Sequence, residues 1–426
     1  MARVIEIRAG WKENNPLIGH LYIESIRGEE SQSFVYDINW LSNNISLILS
    51  PDIALTHGRQ YPAQGRKTFG FLSDAAPDRW GRKLIELEKQ AFSREQGRPV
   101  PRLLESDYLL RVSDQGRTGG LRFWENGVFL TEQEDAVPPI TQLRELEAAV
   151  REYEDKRSAF SLRRLIQPGS SLGGARPKAN VVDELGNIWI AKFPSKHDDV
   201  SVAKWEAVTN ELAAKCGLKT TATKLIDFKS SGGIFLSKRF DREYSEGNAR
   251  RIHFASAMTM LDTVDGAEEK NSYLYLAEKV EELSHEPAGD LRELWKRMVF
   301  NVCVSNADDH LRNHGFLLNA SNSWSLSPVY DINPVPDASH LSLAISDTDK
   351  TIDLRLVLEV SGLFRVGKEE SIELIRMIQR QVSQNWRRQA TLHGIPKNEI
   401  DWMHPAFRES ERDLAGKSLH PGLTIV

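Results

Sequence analysis

"VSNADDHLRNHGF", Val304–Phe316, gathers two aspartates, two asparagines, an arginine and two histidines between apolar flanks. Immediately upstream, "DLRELWKRMVFNVCVSN" carries Leu291, Leu294, Trp295, Met298, Val299, Val302 and Cys303 on the helical repeat. That spacing predicts a buried helix that delivers the polar cluster at its C-terminal end. Downstream, "HGFLLNASNSWSLSPVYDINP" predicts a hairpin-like break between helices. Composition alone does not account for such a cluster beside a buried helix.

The cluster suits phosphoryl transfer, which needs a carboxylate to orient the accepting hydroxyl and hard oxygen ligands for Mg2+. Asp308 is suited to be that base, and Asn313 offers a neutral oxygen ligand. Asp331, in "SPVYDINP", could fold back onto the same ion. Hard oxygen donors favour magnesium over zinc. Two other readings compete. On a helix His310 and His314 would share a face and could bind zinc, but no glutamate follows His310 and neither cysteine has ligand spacing. Alternatively, Asp308 and Asn313 are local caps in a tight loop.

Further toward the N-terminus, "SSLGGARPKA" spans Ser170 to Ala179. Gly173 and Gly174 would let the backbone approach a ligand and point amide groups at an anion, and Lys178 could meet the same phosphate. The stretch matches neither the Walker pattern nor the dinucleotide fingerprint, and a flexible surface turn is the competing reading. The strand that follows, "GNIWIAKFP", sets Ile188, Ile190 and Lys192 on one face and Trp189, Ala191 and Phe193 on the other. A charge in such a strand calls for a partner, and Glu206 on the next helix, "VAKWEAVTNELAAKCGL", is a candidate. A strand lysine held by a helix glutamate can fix nucleotide phosphates. Otherwise Lys192 snorkels to water.

The remaining stretches set the organisation. "RVIEIR", "HLYIES" and "SFVYDINW" alternate as half-buried strands do. In "FGFLSDAAPDRWGRKLIELEKQAF", Asp78 to Arg82 open a helix that they cap and decorate, in preference to forming a binding surface. Tyr108 to Trp124 predicts two short strands, "ITQLRELEAAVREYEDKRS" a solvated helix, and "SGGIFLSKRFDR" another strand. Beyond about residue 250 helix dominates, ending in "EESIELIRMIQRQVSQNWRRQA". The 426 residues suffice for two or three domains with a large core, and the net charge of −5 gives no global pull toward nucleic acid. Cys216 and Cys303 sit in apolar helical patterns, so buried thiols in a reducing compartment are expected. No apolar run reaches the roughly 20 residues of a membrane span, and "MARVIEIRAG" does not read as a secretory signal. A cytoplasmic protein is the expectation.

Taken in order, "FGFLSDAAPDRWGR", "SSLGGARPKA", "WIAKFPS", "KWEAVTNELAAKCGL", "LSKRFDR", "SNADDHLRNHGF", "LSPVYDINP" and "LSLAIS" resemble the HipA-like serine/threonine kinases. These are the toxin half of bacterial toxin–antitoxin pairs. The likeness runs from Phe69 to Ser346, about two-thirds of the chain. It implies an α+β, protein-kinase-like two-lobed fold with a β-rich N-terminal subdomain and a mainly helical C-terminal lobe. The divisions the resemblance implies are 1–125, a β-rich subdomain with the antitoxin-facing surface, 126–248 for the nucleotide-binding lobe and 249–426 for the helical lobe.

Carried over by position, the resemblance makes Asp308 the catalytic aspartate and Asn313 and Asp331 the magnesium ligands. Lys192 contacts the ATP phosphates with Glu206 as its helix partner, and Lys238 to Phe240 form the strand passing the adenine. The glycine-rich segment, with Gly173, Gly174 and Lys178, closes over ATP, and Ser171 or its neighbour Ser170 is the autophosphorylation position that silences the kinase. The metal aspartate sits in "YDIN" instead of "DFG", and the loop is not G-x-G-x-x-G. The resemblance gives Arg176 and Pro177 of "GGARPK" no role. It implies a small helix-turn-helix, HipB-like antitoxin through which DNA is bound, and a protein substrate such as an aminoacyl-tRNA synthetase. A small-molecule phosphotransferase and a non-catalytic transcriptional co-regulator are the alternatives on the same fold.

Overall fold

The structure is a computed structural model that describes residues 3–26, 28–44, 47–130, 137–155, 165, 176–228, 232–245, 248–267 and 269–414. Its chain divides into two compact units. One comprises Met1–Ala203, Thr221–Ala267 and Arg312–Ser327, the other Lys204–Thr220, Glu268–Leu311 and Pro328–Val426. The class is α+β, with a β-rich N-terminal region and a largely helical C-terminal one.

The first unit opens with strands β1 (Arg3–Ala9), β2 (Leu17–Ile26) and β3 (Glu29–Tyr36), joined later by β4 (Leu121–Glu125) and β5 (Val128–Phe129). The sheet order is β3-β2-β1-β4-β5. The expected alternation is present: Ile5, Ile7 and Ala9 are fully buried, while Val4, Glu6 and Arg8 point to the other face. The last residues of "SFVYDINW" depart from it. Asp37 accepts from the amides of Asn39 and Trp40 and starts a helix, Ile38–Asn43, that buries Trp40.

A second antiparallel sheet runs β6-β7-β9-β8, from β6 (Lys178–Val182), β7 (Ile188–Lys192), β8 (Thr223–Ile226) and β9 (Ile234–Lys238). Ala179, Val181, Trp189, Ala191, Ile234 and Leu236 give it one apolar face. Against that face lie Trp80 and Leu84 of helix Arg79–Glu95 and Leu143, Leu146 and Val150 of helix Leu143–Glu154. Asp78 caps the first of these helices by accepting from Gly81 N at 2.9 Å, as its sequence position predicts. Hairpin β10 (Arg242–Ser245) with β11 (Asn248–Arg251) follows, then the sheet β12 (Phe254–Ser256), β13 (Gly315–Leu318) and β14 (Trp324–Leu326). The strand expected around Tyr108 is replaced by helix Glu105–Arg111. Asp107 Oδ2 accepts from Leu104 N at 2.9 Å, an end-capping bond that wins over the β-prone side chains.

The second unit is built around helix Pro287–Cys303, buried along nearly its whole length. It packs on helices Tyr273–Leu283 and Lys368–Leu392. Helix Val202–Lys215, which belongs here from Lys204 onward, ends as expected at Gly217, whose φ of 70° suits a residue without Cβ. Cys216 and Cys303 are both buried, and burial pushes the Cys216 thiol up to about 12. No described helix is long and apolar enough to cross a membrane.

Candidate functional site

In the helical unit, the Pro287–Cys303 helix stops at Val304, and Ser305 turns the chain through the left-handed region at φ 47°. Asp308 is then exposed while Asp309 beside it is 3% exposed. The difference has a cause. Asp309 accepts from the Tyr273 hydroxyl, which in turn accepts from Asn301 Nδ2 at 3.0 Å. Asn306 Nδ2 donates to Asn301 Oδ1 at 3.2 Å, and Asn306 Oδ1 accepts from Asn333 N at 3.2 Å. Asn333 Nδ2 reaches Asp331 Oδ1 at 3.4 Å. Asp331 itself is in the left-handed conformation, φ 59°, which aspartate tolerates better than most residues.

Backbone bonds reinforce this chain. Val335 N donates to Ser305 O at 3.1 Å, and Ser342 of "LSLAIS" donates to Ala307 O from both its amide and its hydroxyl, at 2.9 and 2.8 Å. Thr209 Oγ1 donates to Ile332 O at 2.6 Å, which ties the helix bearing buried Glu206 to the same segment. The segments of Glu206, Asp308 and Asp331 are thus brought together within this unit. Burial, then the Asp309 carboxylate, pushes the Tyr273 hydroxyl well above its ordinary pKa, so it stays a donor at neutral pH. Sequence reasoning passed over Tyr273, Asn301, Asn306, Asn333 and Ser342. The signal available was the asparagines flanking each aspartate in "SNADDH" and "YDIN".

The β-rich unit holds Lys178, Lys192, Lys238, Phe240 and Asn313. Lys178 and Lys192 are direct cross-strand partners on β6 and β7, and Phe235 of β9 opposes Lys192 on its other side. The Lys192 ammonium lies 6.0 Å from the Phe235 ring centre. Lys178 is 3% exposed, with its ammonium 2.9 Å from Asp78 Oδ2 and its carbonyl accepting from Trp80 Nε1 at 2.9 Å. Burial raises the Asp78 carboxyl above its usual pKa, although Lys178 and the helix amides act in the opposite direction. Arg176 pairs with both oxygens of Asp198, each at 2.6 Å. Ser170, Ser171, Gly173 and Gly174 lie outside the described residues.

Lys238 ends β9 with its ammonium 4.5 Å from the Tyr244 ring centre, and Phe240 packs 6.1 Å from Phe254. Between them Arg239 turns inward to Asp241, Asn180 Oδ1 and the carbonyls of Gly116 and Arg117. Arg242 joins the same Asp241 at 2.9 Å. Burial opposes charge on Asp241, but the two arginines outweigh it and hold the carboxyl far below its ordinary range. Asn313 is buried at the head of β13, where Ala257 N donates to His314 O at 2.9 Å. Its neighbour Arg312 pairs with Asp265 at 3.0 and 2.9 Å. His310 and His314 do not share an α-helical face, because Leu311–Asn313 is a single 3-10 turn. Asp308 and Asp331 in the helical unit, and Asn313 in the β-rich unit, each carry side-chain oxygens of the hard kind that magnesium takes.

Residues 170–386 match the family model described as HipA-like C-terminal domain. A Haemophilus influenzae protein whose name provisionally assigns it to the kinases is 25% identical over 197 residues, 42% of this chain and 57% of that protein. A Sinorhizobium fredii protein named in the same provisional way is 27% identical over 158 residues, 34% of this chain. The matches span 57% and 37% of those relatives' own lengths. Among solved structures, a chain from the Shewanella oneidensis MR-1 toxin–antitoxin complex of HipA, HipB and operator DNA superposes with a TM-score of 0.68. That match covers 95% of both chains at 18% identity, a likeness of fold.

Proposed function

The chain belongs to the HipA-like kinase family, and on that premise we propose that it is an ATP- and Mg2+-dependent serine/threonine protein kinase. The observation that carries this reading is the exposed Asp308, on a loop that a hydrogen-bond chain links to Asp331. A carboxylate so placed can take the proton of a protein hydroxyl as its oxygen bonds to the γ-phosphorus of ATP. The bond between that phosphorus and the β,γ-bridging oxygen breaks, and ADP leaves. Asn313 and Asp331 supply oxygens for magnesium, which neutralises phosphate charge when bound.

In the same reading Lys192 meets the phosphates with Glu206 as its partner. Lys238 and Phe240 border the adenine, and Gly173, Gly174 and Lys178 belong to the segment over the nucleotide. A phosphate on Ser171 or Ser170 would add about −1.5 to −2 charges there and oppose ATP. The division is 1–125, 126–248 and 249–426, with a HipB-like helix-turn-helix antitoxin as partner, DNA reached through it, and a cytoplasmic setting. A protein hydroxyl is the acceptor, an aminoacyl-tRNA synthetase being one candidate.

Calorimetry with ATP, with and without Mg2+, tests the site. Asp331→Ala should weaken Mg-ATP binding by about tenfold or more, because it removes charge and a ligand, while Asp308→Ala should bind nearly as the parent does. Equal binding by Asp331→Ala would remove that residue from the site.

A further inference from the structure

Two lysines directly opposite each other on an antiparallel pair are unfavourable, since their Cβ atoms stand only about 5 Å apart. Lys178 and Lys192 are such a pair. The structure answers the Lys178 charge from a distant part of the sequence. Asp78 Oδ2 lies 2.9 Å from its ammonium, and Trp80 Nε1 holds its carbonyl at 2.9 Å. "PDRW" therefore grips the first residue of β6 by side chain and by backbone, just past the glycine-rich stretch. Asp78 can do so because its other oxygen is engaged with Gly81 N, fixing the carboxylate at the start of helix Arg79–Glu95.

From this geometry, and resting on the nucleotide reading above, we propose that Asp78 is a positioning residue that acts as an internal counter-anion. It holds Lys178 in competition with the phosphates of ATP and so weakens nucleotide binding. Phosphates that reach Lys178 meet an ammonium already engaged by a carboxylate. With Asp78 neutral, Lys178 gains by turning to the phosphates. A purely structural ion pair would affect folding and leave the sign of the nucleotide effect unspecified. The competition fixes that sign: removing Asp78 tightens binding.

The test uses the full chain and Mg-ATP in calorimetry, with thermal unfolding alongside. Asp78→Asn keeps a capping oxygen for the helix and removes only the charge. It should unfold at a lower temperature without ligand, yet bind Mg-ATP at least about fivefold more tightly, the scale of one hydrogen bond's net contribution. Adding Lys178→Met to Asp78→Asn should abolish that gain and recover the unfolding temperature. If Asp78→Asn does not fold, Asp78→Ser is read by the same criterion. If neither folds, the pair is read in the Lys178→Met background, where a tightening by Asp78→Asn equal to or above fivefold would overturn the proposal and its absence would support it. Folded Asp78→Asn that binds Mg-ATP equally or more weakly overturns the proposal while the kinase reading stands. A parent chain that binds no Mg-ATP overturns both.

Discussion

Burial alone can tune a single residue in this protein, and His253 shows it. Its ring stacks on Trp11 at 4.5 Å and 7°, and neither ring nitrogen has a hydrogen-bond partner among the described residues. Burial pushes the imidazole down to about 3. The ordinary value is about 6.5, so as pH falls the unfolded chain takes up the proton first. The contribution is complete above that value and is lost as pH drops toward 3. By pH 5 the loss is about 2 kcal/mol. Urea unfolding at pH 7.5 and pH 5 checks this: His253→Phe, which keeps an aromatic ring on Trp11, should lose less stability than the parent over that interval. An equal loss would contradict it. Asp78 was readable as a cap from its place before a helical repeat, whereas its bond to Lys178 was not, because the partner lies in a strand a hundred positions away.

At the scale of elements, local patterning carried far. Alternation located β1 to β3, the apolar repeat located Pro287–Cys303, and "HGFLLNASNSWSL" became the β13–β14 hairpin. It failed at Glu105–Arg111, where capping outweighed side-chain preference. The polar chain beneath Asp308 was illegible for another reason: each asparagine looks like a surface residue until its partners from three separate segments are known. That chain should matter for turnover. Tyr273→Phe removes the hydroxyl between Asp309 and Asn301, leaving buried polar atoms without it at a cost of roughly 1–3 kcal/mol. We expect kcat to fall about tenfold or more, with Mg-ATP affinity changed less than threefold, because Asp308 loses its register. Steady-state kinetics with calorimetry decides it: a parallel loss of both would mean that the bond serves folding alone.

At the scale of the molecule, one buried charge cluster joins segments far apart in sequence. Asp241 accepts from Arg239, Arg242 and Gly119 N, and Arg239 and Arg242 also hold carbonyls in 115–119. Burial pushes Arg242 down to about 9, while the Asp241 carboxylate acts in the opposite direction. Asp241→Asn should cost about 3–5 kcal/mol, the range for breaking a buried pair by removing one partner, and should shift the urea midpoint accordingly. A shift under 1 kcal/mol would show that the backbone carbonyls suffice. The family's "RFDR" was visible in the sequence as the end of a strand; its role as a joint was not, since its partners lie some 120 positions earlier.

Phosphoryl transfer from ATP, with Asp308 as the base, is the reaction proposed for this chain. The most direct measurement is intact and peptide mass spectrometry of the full chain before and after incubation with Mg-ATP, with Asp308→Ala in parallel and a phosphatase-treated sample as the starting point. One added phosphate is expected, on Ser170 or Ser171, and Asp308→Ala should not acquire it. A phosphatase-treated chain that stays unmodified, or an Asp308→Ala variant that is modified equally, would contradict it.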